Sequence, residues 1–453
     1  MSVGRFQGSG EAGASMNTTT LAPISRRDRI DTLDVLRGVA VLGILLMNIP
    51  GMGLPWERGR PDLPAVPNLD WIAFTIQDVV FAGSMRGLFT LLFGAGMVVM
   101  LRRADEIQGA AAIQAYLTRC FALLLLGVAN FALFLWPGEI LFNYGLCGLM
   151  LLLFRKAENR VMLVAAAAML VFMSVALGTP NLERAETLRT AQTAIAAKAE
   201  GKTLTKAQTD AIAKREEILK KSKQTSEARA KEREVRTHFP SVLGWSAKSW
   251  LEFNWDPLAP LFLLESLGFM LIGVVLFRTG VLTGEKSTGF YATLALGGYA
   301  AGLLVRGAMA VISWRAGFQP NPVTAEWRGF VYELGRLPTT IGLLGLVTLL
   351  FRQGLLGPWA TALKAVGRMA LTNYVGQSVI TSILFYGLGF YDRFGFAQLM
   401  GVAVLIWIFQ ATFSLLWLKV YEMGPLEWLL RSLTYGTWKP LERVAVGAPV
   451  AAE

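Results

Sequence analysis

Residues 29–51 read RIDTLDVLRGVAVLGILLMNIPG, an apolar stretch long enough to cross a membrane as a helix. Two ionisable side chains, Asp34 and Arg37, interrupt its hydrophobic run. An ionisable group at membrane depth costs roughly 2.5–3.5 kcal/mol on insertion scales, and such groups usually pair with one another or line a polar cavity. The stretch therefore predicts a membrane helix that presents charge to the protein interior.

The composition of the whole chain is that of an integral membrane protein. Of its 453 residues, 54% are hydrophobic and only 17% are charged, and the mean hydropathy is +0.47. Soluble proteins carry about 25% charged residues. The single histidine, His238, and the two cysteines, Cys120 and Cys147, give no metal-ligand spacing. No metal is expected, a zinc enzyme is excluded, and the cysteines are predicted to be small buried apolar residues.

Ten apolar segments predict an all-α, polytopic membrane bundle of about ten transmembrane helices. They lie near residues 31–53, 71–101, 117–136, 140–154, 160–178, 256–278, 288–314, 329–351, 368–390 and 395–420. The fourth is short, and the second could be a re-entrant or amphipathic piece followed by a span. Lysine and arginine concentrate in the segments that face the cytoplasm if the N-terminus is cytoplasmic, so we expect both termini inside.

A polar segment, residues 181–237, divides the membrane region into two halves. Gly201 splits it and Thr205 could cap a second helix, which predicts a helical hairpin outside the membrane. Its positive charge excess suits a solvated spacer or contacts with anionic headgroups. The expected organisation is a disordered cytoplasmic N-terminus (1–28), a first membrane half (29–180), the helical insert with its connecting loop (181–255), a second half (256–421), and an interfacial helix with a tail (422–453).

Eight ionisable residues fall within the proposed spans, four acidic and four basic: Asp34, Asp78, Glu265, Glu333, Arg37, Arg86, Arg306 and Arg336. Asp34 with Arg37, and Glu333 with Arg336, are three residues apart and share a helix face. Arg86 lies eight residues after Asp78, on roughly the same face. We expect opposite charges from separate spans to meet in one hydrated pocket, although ion pairs that only hold the bundle together would give the same pattern.

Neutral polar residues extend this candidate site. Asn48 lies in the first span, and Asn373, Tyr374 and Gln377 lie in the ninth. Amides at membrane depth can join helices or contact a polar ligand, and the sequence leaves both roles open. Glu139 lies in WPGEILFNYG, an outer connection in which it could face a substrate or solvent.

Four segments resemble the DUF418 (YeiB-like) family of bacterial membrane proteins: RIDTLDVLRGVAVLGILLMNI, RGLFTLLFGAG, RMALTNYVGQSVI and GPLEWLLRSLTYG. They run from residue 29 to about 441 in the family's order. That family is similar in turn to transmembrane acyltransferases such as the heparan glucosaminide N-acetyltransferase, through Leu33, Asp34, Arg37 and Gly38 and a polar second helix with Asp78. The acetyltransferase has a working histidine shortly before that aspartate, whereas this chain has Asn68 and Asp70 there and no histidine.

The resemblance implies a protein of the bacterial inner membrane that moves an acyl group from a cytoplasmic acyl-CoA or similar thioester to a hydroxyl or amine acceptor. The catalytic candidates are Asp34, Asp78 and, if the segment after the insert folds over the outer mouth, His238. The substrate-binding candidates are Arg37, Asn48, Arg86, Glu139, Glu265, Arg336, Asn373, Tyr374 and Gln377.

Two other functional hypotheses remain open. A transporter or flippase of a polar or lipid-linked solute fits midplane charges and two five-helix halves equally well, and a scaffold or sensor could use the insert for docking. The expected partners are the lipid bilayer and a small-molecule, glycan or lipid acceptor. No nucleic acid is expected, and a homodimer is compatible with such a bundle.

Overall fold

The computed structural model describes residues 30–55, 68–101, 109–222, 226–438 and 440–442. Over these residues the chain is helical and has no named β-strand, which confirms the predicted all-α polytopic bundle. The segment 1–28, predicted to be disordered, lies outside the described residues, as does the end of the C-terminal tail at 443–453.

The described residues of the first half of the chain form six α-helices. They are α1 (Asp31–Gly53), α2 (Leu69–Ile76), α3 (Ser84–Leu101), α4 (Gly109–Phe134), α5 (Leu141–Leu151) and α6 (Asn159–Ala199). The second apolar segment is divided, because α2 continues as a π-helix over Gln77–Phe81 and Gly83, with a φ of 76°, turns the chain before α3 begins. This division agrees with the alternative interpretation of the second segment as a short piece followed by a span.

The polar insert is a helical hairpin, as predicted. The 41 residues of α6 are about 60 Å long, twice the thickness of a hydrocarbon core, so its second half projects beyond the membrane. Gly201, with a φ of 75°, follows its end, and Thr205 and Gln208 cap each other's backbone at the start of α7 (Lys206–Ser222). Two further helices, α8 (Ser226–Val235) and α9 (Phe239–Trp255), return the chain to the bundle.

The second half begins with three long helices, α10 (Ala259–Arg278), α11 (Thr288–Arg315) and α12 (Pro322–Arg352). They are followed by α13 (Pro358–Arg368), α14 (Ala370–Ser382), α15 (Phe396–Val420) and α16 (Pro425–Tyr435), and α14 ends in a second π-helix over Ile383–Gly387.

Eight helical stretches among the described residues are long and apolar enough to cross a membrane, so the protein is a multi-pass membrane protein. The other two apolar segments, near 140–154 and 368–390, form shorter helices, α5 and α14 with its π-helix. The cysteines Cys120 and Cys147 are buried and free, as predicted.

Helices α3 and α10 cross in backbone contact at two glycines. A Cβ atom on Gly94 would lie 2.0 Å from the Met270 carbonyl oxygen, and one on Gly273 would lie 2.0 Å from that of Leu91. Small residues allow this approach in membranes, where close van der Waals packing drives helix association. The crossing fixes the relative depth of the charged residues on both helices.

The connection between α4 and α5 folds back into the bundle, and we call its residues 135–140 the re-entrant loop. A Cβ atom on Gly127 would lie 2.5 Å from the backbone nitrogen of Phe142, so α5 begins beside Gly127. Gly127 is seven residues, or about 10 Å, before the end of α4. Helix α5 is therefore short because it begins at membrane depth, and Leu135, with a φ of 57°, marks the reversal.

Candidate functional site

Glu265 of α10 is fully buried between two arginines. Arg86 of α3 donates from Nη2 to both carboxylate oxygens at 2.8 Å, and Nη1 of Arg336, in α12, pairs with Oε1. Arg86 and Glu265 each lie eight residues before the glycine at which α3 and α10 cross, so the crossing places them at one depth. Three helices from both halves of the chain thus meet at one carboxylate.

Glu333 completes this group, and we call Arg86, Glu265, Glu333 and Arg336 the charge cluster. Its Oε1 lies 3.3 Å from Nη1 of Arg336, which confirms the predicted pair. Its Oε2 is buried and has no hydrogen-bond partner among the described residues. A buried polar atom left without a bond costs about 1–3 kcal/mol, and such an atom in a native structure often has a functional reason. The Oε2 atom of Glu333 is therefore able to accept a proton or a hydrogen bond.

Arg86 is the accessible member of the charge cluster. Its side chain is 26% exposed, whereas those of Glu265 and Arg336 are almost completely buried. Behind it, the hydroxyl of Thr90 donates to the Arg86 carbonyl at 2.7 Å and lies 2.5 Å from the hydroxyl of Tyr144 in α5. A ligand that reached the cluster would meet the Arg86 guanidinium first.

Asp34 and Arg37 form the predicted ion pair, at 3.2 Å, but lie away from the charge cluster. Gly43 of α1 packs against Met85, so Arg86 lies beside residue 43. Asp34 is nine residues, or about 13 Å, back along α1. The expectation that all of the membrane charges converge on one pocket is therefore wrong for this pair.

Asp78 is also separate from the charge cluster. Its residue is exposed, and its backbone carbonyl accepts a hydrogen bond from Arg306, which also donates to the Ala82 carbonyl at 2.7 Å. The predicted common face with Arg86 is wrong, because the π-helix and the turn at Gly83 change the helix direction between the two residues. Arg306 thereby holds the end of the π-helix.

His238 lies at the far end of α1 and is exposed. Two residues before it, Arg236 donates to the carbonyls of Gly51, Met52 and Leu54 at 3.0–3.2 Å. Asp34 lies near the other end of the same helix, and Gln77, the residue before Asp78, donates to the carbonyl of Leu46. The three predicted catalytic residues therefore lie at different depths, and the role of each stays a prediction.

Arg236 itself is a structural site that the sequence did not reveal. It is 0% exposed, and its guanidinium lies over the rings of Trp245 and Tyr391 at 3.9 and 4.3 Å. Burial raises the pKa of Tyr391 above its usual range, so its hydroxyl stays protonated and donates to Glu232. The carbonyls at a helix C-terminus carry partial negative charge, which an arginine complements.

The polar residues of α14 form bonds between helices. Asn373 donates to Ser414 of α15 at 3.0 Å, Gln377 donates to the Val41 carbonyl of α1 at 3.0 Å, and Gln410 donates to the Asn373 carbonyl at 2.7 Å. These bonds account for helix association, whereas ligand contacts by Asn373 and Gln377 stay a prediction. Asn48 is half-buried in α1, and its role also stays a prediction.

Glu139 is buried, so the alternative that it faces solvent is wrong, whereas its contact with a substrate stays a prediction. Its Oε2 accepts from the first two N–H groups of α5, at 2.6 and 3.1 Å, and its Oε1 accepts from the indole of Trp250 in α9 at 3.1 Å. The hydroxyl of Tyr374 accepts from the backbone N–H of Ile140 at 3.0 Å. Glu139 and Tyr374 thus hold the re-entrant loop in place.

A family model and the sequences of other bacterial proteins match this chain. The model of the family described as "Protein of unknown function (DUF418)" matches residues 276–437. The chain is 31% identical to the uncharacterized protein YeiB of Escherichia coli (strain K12), over 90% of this chain and 96% of that protein. It is 29% identical to the uncharacterized protein YxaH of Bacillus subtilis (strain 168), over 94% of this chain and 99% of that protein. No solved structure matches the chain significantly. The resemblance seen in the sequence is confirmed, and the chain belongs to the DUF418 family of YeiB-like proteins.

Proposed function

We propose that this protein is a membrane acyltransferase whose reaction centre is the charge cluster. The observation that carries the proposal is the buried Oε2 of Glu333, which has no hydrogen-bond partner among the described residues and shares its carboxyl group with the ion pair to Arg336. Acyl transfer needs a base for the acceptor and positive charge for the developing oxyanion. In the charge cluster, the Glu333 carboxylate would act as the base, and the neighbouring guanidinium groups would supply the positive charge.

In the proposed reaction Glu333 takes the proton of the acceptor's hydroxyl or amine. The acceptor oxygen or nitrogen attacks the thioester carbonyl, its bond to the acyl carbon forms, the carbon–sulfur bond breaks, and the leaving thiolate takes the proton. Arg86, the accessible guanidinium, stabilises the oxyanion. Glu265 and Arg336 act as positioning residues, because their ion pairs hold Arg86 and Glu333 in place.

We place the thioester donor, an acyl-CoA or a similar compound, at the end of the bundle where α1 begins. Arg37 and Lys364 are partly exposed there, each in an ion pair with an aspartate, so a phosphate-bearing donor would meet two cationic side chains at this end. The rise along α1 from Arg37 to Gly43, beside Arg86, is about 9 Å. An extended thioester arm spans that distance.

The loop charges support a bacterial inner membrane with this donor end in the cytoplasm, and with both termini on the same side. The helical insert then projects from the opposite face. The acceptor, a small molecule, a glycan or a lipid, approaches from that face in this proposal.

The test is thioester turnover by protein in phosphatidylcholine nanodiscs with short-chain acyl-CoA, followed by release of free CoA. Wild type is expected to turn over, and Glu333→Gln is expected to lose at least about 100-fold in kcat with a similar melting temperature, because general acid–base catalysis contributes about 10²–10⁴. Glu186→Gln, an exposed change on the insert side of α6, is the matched control and should leave turnover unchanged. Absence of both turnover and a CoA-dependent thermal shift in wild type would refute the enzyme proposal.

A transporter or flippase is the second candidate, and the geometry around Arg336 favours it. The Arg336 guanidinium is shared by two carboxylates, so protonation or solute binding could move it from one to the other. Pro338, two residues further on, lies inside α12, where a proline removes a backbone hydrogen bond and allows bending. The test is solute flux into liposomes that contain the protein. Flux that is lost in Arg86→Ala, together with no thioester turnover by wild type, would favour transport.

A further inference from the structure

Two buried polar side chains on neighbouring helices have hydrogen-bonding groups that no described residue satisfies. Asn130 of α4 is 0% exposed, and neither its amide nitrogen nor its amide oxygen has a partner among the described residues. Ser378 of α14 is 1% exposed, and its hydroxyl also has none among them. Buried amides and hydroxyls in native proteins nearly always bond to protein or to a bound molecule.

The geometry of the two helices brings these side chains toward each other. Ser382 donates to the carbonyl of Phe134, so the end of α14 lies against the end of α4. Asn130 lies four residues before Phe134, and Ser378 lies four residues before Ser382. Each is therefore one helical turn, or about 6 Å, deeper and on the same helix face as the residue that makes this bond. Both are buried, and the contact between the two helix ends places them at a similar depth.

The re-entrant loop and α9 close the remaining sides. Tyr374, one turn deeper than Ser378, bonds the loop, and Gly127, one turn deeper than Asn130, lies against the Glu139 carboxylate. Trp250 of α9 stacks on Phe131 at 4.4 Å and donates to Glu139. Polar groups of the re-entrant loop and of α9 thus lie about one helical turn from each of the two unsatisfied side chains.

We infer that Asn130 and Ser378 enclose a small space that binds a hydroxyl group of a neutral ligand, and we call these two residues the hydroxyl site. An amide provides donors and an acceptor, and a serine provides both kinds, which matches a hydroxyl group that donates one bond and accepts others. An anion would be repelled by the adjacent Glu139 carboxylate, and neither Asn130 nor Ser378 carries a charge that would hold an ion. The bound hydroxyl belongs to a water molecule or to a polyol-like ligand, and the experiment below distinguishes these sources.

The first measurement is thermal stability in phosphatidylcholine nanodiscs. Asn130→Leu, which keeps the side-chain size, and Ser378→Ala are expected to lower the melting temperature, because they remove bonds to the occupant. Thr293→Val is the control, since it removes an exposed hydroxyl of α11 whose hydrogen bond stays within its own helix. It is expected to leave the melting temperature unchanged or raised. If Asn130→Leu and Ser378→Ala raise the melting temperature, the space is dry and the inference is wrong.

The second measurement adds glycerol as the probe. A site open to outside polyols predicts that glycerol raises the melting temperature of wild type more than that of Asn130→Leu. Equal glycerol shifts, with Asn130→Leu still less stable than wild type, identify the bound hydroxyl as water. If Asn130→Leu does not fold, the smaller change Ser378→Ala supports the same comparison, and melting curves of Ser378→Ala that match those of wild type with and without glycerol overturn the inference. Neither measurement uses an acyl donor, so the result is independent of the proposed reaction.

Discussion

At the scale of single residues, the sequence predicted which charges lie in the membrane and which of them pair locally. The pairs Asp34–Arg37 and Glu333–Arg336 follow from a spacing of three on a helix. The contact between Arg86 and Glu265 joins residues 179 positions apart, and no local pattern encodes it. Arg236 was not found because it lies in a charge-rich run that reads as solvated, and only the folded chain places it under the end of α1.

Glu265 is expected to be the member of the charge cluster on which stability depends most. Glu265→Gln leaves two guanidinium groups without their shared counter-charge, and the loss of one partner of a buried ion pair costs about 3–5 kcal/mol. Glu333→Gln should cost much less, since one of its oxygens has no donor among the described residues. Thermal unfolding of the two variants in nanodiscs compares them directly, and equal losses would contradict the description of the cluster.

Arg236 is expected to hold the segment after the insert on the bundle. Arg236→Met should leave buried carbonyls of α1 without a donor and cost about 2 kcal/mol, because hydrogen bonds to charged groups contribute about 1.5–3 kcal/mol. Limited proteolysis of α8 and α9 should then become faster. Lys231→Met, at an exposed position of α8, is the control and should be cleaved like wild type. Unchanged proteolysis of Arg236→Met would show that these bonds do not hold the segment.

At the scale of helices, hydrophobic length predicted the long spans, and polar composition with Gly201 and Thr205 predicted the hairpin. Hydrophobic length could not predict the re-entrant loop, because the depth at which α5 begins is set by the contact with Gly127 in another helix. The apolar periodicity of the sequence likewise does not predict the π-helices at the ends of α2 and α14. The missed features are those decided by packing between helices.

The α3–α10 crossing is expected to be required for the charge cluster. Gly273→Ala places a Cβ atom 2.0 Å from the Leu91 carbonyl oxygen, so the two backbones must separate and the melting temperature should fall. Gly297→Ala is the matched control in α11, where an added Cβ meets nothing within 4 Å. It should be neutral or stabilising by up to about 1 kcal/mol, the difference in helix propensity between glycine and alanine. The same loss of stability in both variants would argue against a tight crossing.

At the scale of the whole molecule, the membrane charges occupy several depths rather than one pocket. Asp34 and Arg37 lie at one end of α1, the charge cluster lies beside residue 43, and Arg236 binds the opposite end. The sequence shows how many charges the bundle contains, but their distribution depends on which helices are neighbours. In the proposed function this arrangement separates the donor entry from the reaction centre.

The orientation of the molecule can be tested with two introduced cysteines, because both native cysteines are buried. Lys214→Cys lies in the insert and Lys156→Cys lies before α6, and both positions are exposed. A membrane-impermeant maleimide applied to intact bacterial cells is expected to label only Lys214→Cys. Labelling of Lys156→Cys alone would reverse the proposed topology.

The most direct test of the charge cluster as the reaction centre is an experimental structure in nanodiscs with an acyl-CoA analogue in which a methylene group replaces the thioester sulfur. We predict density for the analogue that runs from the Arg37 end of α1 to the cluster, with its carbonyl oxygen within hydrogen-bonding distance of Arg86 and its acyl carbon beside Glu333. An analogue bound elsewhere, with Arg86, Glu265, Glu333 and Arg336 unchanged and out of its reach, would contradict the assignment.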